Sequence, residues 1–155
     1  TIESFVFRSA PYVLLAGHFP VYSVAEHGPT KCLVDRLRPL LIQYKATAYL
    51  CGHDHNLQVK YFIFIRDLRN CFLASTETVN GTQVDYFVVG AGDIVEGSQK
   101  HASNVPAGSL KYFWGPDSLL GGFGLVEVNS TLMTVSFIEH GEKTLYRALL
   151  QPRAL

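Results

Sequence analysis

The chain of 155 residues has no excess of charge of either sign: thirteen lysines and arginines offset thirteen acidic residues. No basic run or basic helix face stands out, which excludes the electrostatic footprint of a DNA- or RNA-binding domain. No apolar stretch is long enough to span a bilayer, so no membrane span is expected. Cysteine is scarce and odd in number, at Cys32, Cys51 and Cys71. A secreted protein with three would leave one thiol free or pair it with something outside this chain. The start, Thr1-Ile2-Glu3-Ser4, has neither an initiator methionine nor a signal-peptide pattern, as expected of a chain whose true beginning lies upstream. Charged residues are only 17% of the sequence against 48% apolar, a balance that excludes disorder and allows a sizeable core. Internal repeats, linkers and low-complexity tracts are absent, so the length suits one domain or a large part of a bigger one.

What is present falls into an α/β start and a β-rich finish. Residues 12–15 form a short apolar run that ends in Ala16-Gly17-His18, the pattern of a buried strand delivering a histidine at its carboxyl end. A turn-rich loop, residues 19–28, holds Pro20, Glu26 and His27. Pro29 suits a first helical turn, and Leu33, Leu37, Leu40, Leu41 and Tyr44 recur at helical spacing as one apolar stripe. Pro39 inside that stripe is expected to kink or split the helix. Residues 47–51 read as a second strand, with Gly52-His53-Asp54-His55 directly after it. Strand, helix and strand, with histidines after both strands, describe a βαβ unit, and open α/β sheets bind ligands along that edge.

Residues 59–65 and 84–89 read as further strands, and residues 93–108 as loop. Residues 123–128, 133–139 and 144–150 alternate with turns as an antiparallel meander. The expected fold class is therefore α/β: a mixed sheet with a βαβ unit, then a β-rich meander, one face of a layered sandwich.

The chemistry lies in the histidines. In Gly52-His53-Asp54-His55 two imidazoles one residue apart cannot share a helix face, but in a loop they can diverge towards different metal ions. Neutral imidazole is a common ligand for zinc, iron and manganese. Gly52 is expected to make the sharp turn that lets the backbone approach the ions. His18 stands in the equivalent place after the preceding strand, so three histidines meet one edge of one sheet. Asp54, between two of them, is expected to hydrogen-bond to a neighbouring group and not to ligate. Closed structural zinc sites usually include cysteine thiolates, and none is spaced for that here. Two Asn-x-Ser/Thr sequons, at Asn80 and Asn129, would accept glycans in the secretory pathway.

Three segments carry a family resemblance: Leu15-Ala16-Gly17-His18-Phe19-Pro20-Val21-Tyr22-Ser23, Ala25-Glu26-His27-Gly28-Pro29-Thr30, and Ala48-Tyr49-Leu50-Cys51-Gly52-His53-Asp54-His55-Asn56-Leu57-Gln58. They resemble the carboxyl-terminal half of the animal-type, tartrate-resistant members of the purple acid phosphatase family. The likeness resumes at Val89-Gly90-Ala91-Gly92 and runs through Ser118-Leu119-Leu120-Gly121-Gly122-Phe123 to Met133-Thr134-Val135. It implies a metallophosphatase-type βα-sandwich, of which residues 1–155 would be the carboxyl-terminal portion. It also implies a ferric ion beside a divalent iron, zinc or manganese, acting on phosphomonoesters or phosphoproteins in a lysosomal or secreted setting. His18 and His53 would then bind the divalent ion, His55 the ferric ion, and His27 would contact the phosphate or aid the leaving group.

The same resemblance implies what is missing. The family's other ligands come from D-x-G, G-D-x-x-Y and G-N-H motifs of its amino-terminal half, and none of these occurs here. Three neutral imidazoles bring no negative charge against two multivalent cations, so an upstream half of the same enzyme is the expected partner. Without it the chain would be a catalytically incompetent fragment or isoform, or would hold a mononuclear site at most. Residues 59–76 match nothing in the family and read as an atypical insertion. Cys32 would belong to a disulfide with an upstream segment, and Cys51 reads as a small core residue.

Overall fold

The computed structural model describes residues 9–63, 83–117 and 120–153. Its elements are β1 (Leu14–Ala16), α1 (Lys31–Gln43), β2 (Ala48–Cys51), β3 (Leu57–Ile63), β4 (Gln83–Val89), β5 (Leu110–Trp114), β6 (Gly122–Val128), β7 (Met133–Glu139) and β8 (Thr144–Leu150). A short 3-10 helix, Ala102–Asn104, interrupts the loop before β5. Five strands form one sheet in the order β1-β2-β4-β3-β5, and β6-β7-β8 form a second. β1, β2 and β4 run parallel, whereas β3 is antiparallel to both its neighbours. The second sheet is an antiparallel meander, as its alternation of apolar runs and turns dictates.

Each face of the first sheet buries a separate apolar cluster. On one face α1 and the loop after β1 cover β2 and β4, with Leu41, Ile42, Val21 and Tyr22 packed on Tyr49, Cys51, Val84, Tyr86 and Val88. On the other, the second sheet lays Met133, Val135 and Phe137 against Ala48, Leu57, Val59 and Phe87. The layers are therefore helix, sheet and sheet, and alternation along β4 feeds both cores from one strand.

Three expectations need correction. α1 runs unbroken through Pro39, although the ring removes an intrahelical donor at an energetic cost of about 3 kcal/mol. Burial of Leu41 and Ile42 just beyond it offsets that cost. The apolar stripe is also rotated: Leu40 and Tyr44 are about half exposed, and Val34 and Ile42 take their places beside Leu33, Leu37 and Leu41. Finally, Leu110–Trp114 is a strand that the sequence pattern does not announce; it pairs with β3 from Leu57 to Lys60.

Of the expected insertion, residues 59–63 belong to β3, paired with β4 throughout and with β5 at Val59 and Lys60. Residues 64–76, with Cys71, lie outside the described residues, as does the sequon at Asn80. Cys51 is buried as expected, its thiol donating to the Phe87 carbonyl at 3.4 Å, and burial pushes its pKa up to about 12. Among the described residues no helix is long and apolar enough to cross a membrane.

Asp85 faces the inter-sheet side of β4, 7% exposed, and accepts a bond from the Gln83 amide at 2.7 Å. Burial raises its pKa to about 6 from the ordinary 3.8. The folded state therefore keeps a proton that the unfolded chain has lost between those two values, and stability falls as pH rises through that window. The loss amounts to about 3 kcal/mol at most. Asp85→Asn is expected to be more stable than the parent above pH 6 and equal to it near pH 4, as urea unfolding at the two pH values will read.

Candidate metal centre

The site lies where β1 and β2 end. Their parallel pairing, Leu14 with Ala48 through Ala16 with Leu50, brings the two following loops out side by side. Gly17 N–H donates to Leu50 O at 3.0 Å, and Gly52 N–H donates to His18 O at 3.1 Å, so the registration continues past the strand ends. His18 and His53 are thereby set together: His53 Nδ1 stands 3.3 Å from His18 Nε2. Phe19 packs on both rings, with centroids 4.9 Å from His18 and 4.5 Å from His53. The His27 ring lies 4.1 Å from His53.

The turn that aims His53 is made by His53 itself. Its φ is +68°, in the left-handed region that costs a residue with a side chain about 1–2 kcal/mol. The expectation that Gly52 makes this turn is wrong, since Gly52 is not among the positive-φ residues. Backbone strain of this kind persists only where surrounding structure imposes it, and it is typical of ligand-holding positions.

Asp54 is fully buried. Its Oδ1 accepts from the His27 backbone N–H at 3.0 Å and faces His27 Nδ1 at 2.8 Å. A carboxylate oxygen only accepts, so Nδ1 carries the proton and Nε2 is left as the outward nitrogen of the neutral ring. Asp54 thus fixes the tautomer and the orientation of His27, in the manner of the carboxylates that back catalytic imidazoles. Burial, followed by the charge of His27, holds His53 below the usual histidine range and favours its neutral, ligating form.

His55 is placed differently. It is exposed, and its carbonyl accepts from Glu96 N–H at 2.8 Å. The ring contacts that join His18, Phe19, His27 and His53 do not extend to it. Among the described residues no group of three His, Cys, Asp or Glu side chains converges closely enough to hold a metal ion. The donors present therefore fit a shared ion at His18 and His53 only. Two imidazole nitrogens on one tetrahedral ion, each about 2.0–2.1 Å from it, stand roughly 3.3 Å apart. The observed 3.3 Å meets that requirement.

The loop before β5 closes the site's flank. His101 N–H donates to Val24 O at 2.9 Å, Ser98 Oγ bonds Glu26 at 3.1 Å, and Lys100 pairs with the same carboxylate. Gly28 lies under the His101 ring, where an added Cβ would stand 2.7 Å from its Cγ, and its φ is +69°. The sequence pattern assigns no role to Phe19 or to Gln58, and both sit at the heart of the arrangement. The alternation Asn56, Gln58, Lys60 reads in the sequence as a face towards water, so it gives no signal for Gln58.

The layering, together with histidine loops at the carboxyl edge of parallel strands, defines a metallophosphatase-type fold. The chain belongs to the purple acid phosphatase family. It is 48% identical over 143 residues to human tartrate-resistant acid phosphatase type 5, an alignment covering 92% of this chain and 38% of that relative. The chain thus spans less than two-fifths of that relative's length. No protein-family model matches it. Among solved structures it is similar to GAP50, described as the anchor in the inner membrane complex of Plasmodium, with a TM-score of 0.70 and 17% identity over 96% of this chain and 39% of that one. Purple acid phosphatase PPD1 from yellow lupin follows with a TM-score of 0.55 and 14% identity, over 96% of this chain and 26% of that one. Membership of the family implies a binuclear metal centre.

Proposed function

We propose that this chain supplies the histidine half of an acid phosphatase centre that hydrolyses phosphate monoesters, including phosphoproteins, by a two-metal mechanism. The observation that carries the reading is the 3.3 Å separation of His18 Nε2 and His53 Nδ1, two nitrogens placed for one ion. His18 and His53 would hold a divalent iron, zinc or manganese, and His55 a ferric ion. Bound there, such a pair would clamp a phosphate and would make an activated water available as nucleophile.

The chain's own residues then act on the substrate. His27, with Nδ1 held by Asp54, presents Nε2 to a phosphoryl or leaving-group oxygen, and the protonated ring can donate its Nε2 proton to the departing alkoxide. Asp54 stabilises the imidazolium before that transfer and holds the ring in place. Phe19 packs against both ligand rings and limits their movement.

The second reading, a catalytically incompetent fragment or isoform, draws on the lack of a three-donor group among the described residues. One experiment separates the two: hydrolysis of an aryl phosphate at about pH 5 with iron and zinc supplied, by the chain alone and then mixed with the amino-terminal part of the human relative. Turnover that appears only in the mixture and vanishes with His53→Ala supports the histidine-half reading. Turnover by the chain alone makes the site self-sufficient, and none in either case leaves the inactive reading.

A lysosomal or secreted destination belongs to the same proposal. Asn129 sits in the exposed turn between β6 and β7, where its Oδ1 accepts from Thr131 N–H and Oγ1 and from Leu132 N–H. Expression through a eukaryotic secretory pathway is expected to yield a form that peptide N-glycosidase shifts in mobility, and Asn129→Gln is expected to remove that shift or reduce it by one glycan.

A further inference from the structure

We propose that Gln58 is a positioning residue for the metal site: a buried brace that fixes the loop bearing His18 and His27 against the loop bearing His53 and His55. The inference rests on the metal-site reading above. Gln58 lies on β3 with no exposure, and nothing about its strand predicts a polar side chain there. It uses all of its hydrogen-bonding capacity. Oε1 accepts from Val24 N–H at 3.1 Å and from the Lys60 ammonium, and Nε2 donates to Ser23 Oγ at 3.0 Å and to Asn56 Oδ1 at 2.6 Å. The amide orientation is not arbitrary, because Val24 N–H and the Lys60 ammonium can only donate and so demand the oxygen.

The partners explain the role. Ser23 and Val24 lie midway between His18 and His27, and both are fully buried. Asn56 directly follows His55, and its backbone continues the turn that Asp54 begins, with Asn56 N–H donating to Asp54 O at 2.9 Å. Gln58 thus joins the middle of one histidine loop to the end of the other. Strand pairing between β1 and β2 sets the loops' origins, but it does not reach their tips. Ser23 Oγ passes the constraint on by accepting from Ala25 N–H at 3.1 Å, two residues from His27. Such buried networks are worth most when every member is satisfied, and Gln58 is the member with four partners.

The test is zinc affinity of the full chain, read by competition with a chromophoric chelator, alongside thermal unfolding of the metal-free protein. Gln58→Leu keeps the size and removes the brace. Its zinc affinity is expected to fall roughly 10- to 100-fold, the range found when groups that orient ligands are removed. Proton NMR should show weakening of the nuclear Overhauser contact between the His18 and His53 rings in the same metal-free variant. Gln58→Glu is the conservative variant. A carboxylate still accepts from Val24 N–H, Lys60 and the Ser23 hydroxyl, and Asn56 can turn its Nδ2, which has no partner among the described residues, towards it. This conservative variant should restore zinc affinity to within about 3-fold of the parent, a rescue that loss of core packing alone would not predict.

If Gln58→Leu does not fold, Ser23→Ala serves: it deletes one bond of the four, and an unchanged zinc affinity in that variant overturns the proposal. So does a Gln58→Leu protein that folds and binds zinc like the parent. His53→Ala is the control for the underlying reading. If it leaves zinc affinity unchanged, the metal site itself is wrong and the brace falls with it. If it weakens binding while Gln58→Leu does not, the brace alone is refuted.

Discussion

His53→Ala is expected to weaken zinc binding by the chain at least ~100-fold, the largest effect of any single side-chain removal in the site. His53 is the ring on which the others converge: His18, Phe19 and His27 all pack on it. Without it His18 faces the site as a single imidazole, which binds zinc too weakly to survive chelator competition. His55→Ala is the informative partner. His55 is exposed and takes no part in the ring contacts that join His18, Phe19, His27 and His53, so its removal should leave zinc binding by this chain within about 3-fold of the parent. Equal losses in the two variants would mean that all three histidines share one ion, contrary to the absence of a three-donor group among the described residues. His53→Gly sharpens the comparison, because glycine adopts the left-handed backbone without strain. That variant should lose zinc like the alanine variant while gaining about 1 kcal/mol in metal-free stability, a trade of binding against fold that urea titration can measure.

The second large effect is on the fold. Gly90→Ala is expected to cost more than about 3 kcal/mol or to prevent soluble folding, whereas Gly92→Ala, two residues on, should change stability by less than about 0.5 kcal/mol. The difference lies in what a methyl group meets. At Gly90 the new Cβ would stand 1.9 Å from the Asp54 carbonyl oxygen and 2.9 Å from its carbon, both backbone atoms. At Gly92 it meets nothing within 4 Å. Gly90 N–H also donates to Asn56 O at 3.1 Å, so the end of β4 is pressed onto the turn from Asp54 to Asn56. Relief would have to come from moving that turn, and with it the carboxylate that orients His27. Any folded Gly90→Ala protein should therefore show altered His27 ring resonances, and an unperturbed His27 in such a protein would contradict this packing.

Much of this was legible in the amino-acid sequence, for identifiable reasons. β7 and β8 begin and end where the apolar alternation does, because a meander of neighbouring strands is decided by local pattern and turns. His18, His53 and His55 could be placed by the strands that precede them, since parallel strands joined by a helix bring their carboxyl ends to one edge. β5 could not be read this way. Leu110–Trp114 has no clean alternation, and its state is set by pairing with β3, far earlier in the chain. The β3 pattern misleads outright. Asn56, Gln58 and Lys60 alternate with Leu57 and Val59 as if facing water, yet all three are fully buried beneath the loop that follows β1. Only the loop's own path reveals that a polar stripe was needed there, to meet Ser23 and Val24. Burial draws the Lys60 ammonium down to about 7, which is the cost of carrying that stripe inside the molecule.

The direction of β3 has a consequence for how this chain tolerates change. β3 leaves the histidine loops at Leu57 and runs to Ile63, which is paired with Gln83 at the start of β4. Seven strand residues cover about 20 Å, so the junction between β3 and β4 opens at the end of the sheet remote from His18, His27 and His53. A change made at Ile63 or Gln83 is separated from the site by the full length of two paired strands. It is there, and not in the loops after β1 or β2, that lineages could lengthen the chain without retuning its chemistry, and that a fluorophore or affinity handle could be spliced in with least disturbance to metal binding.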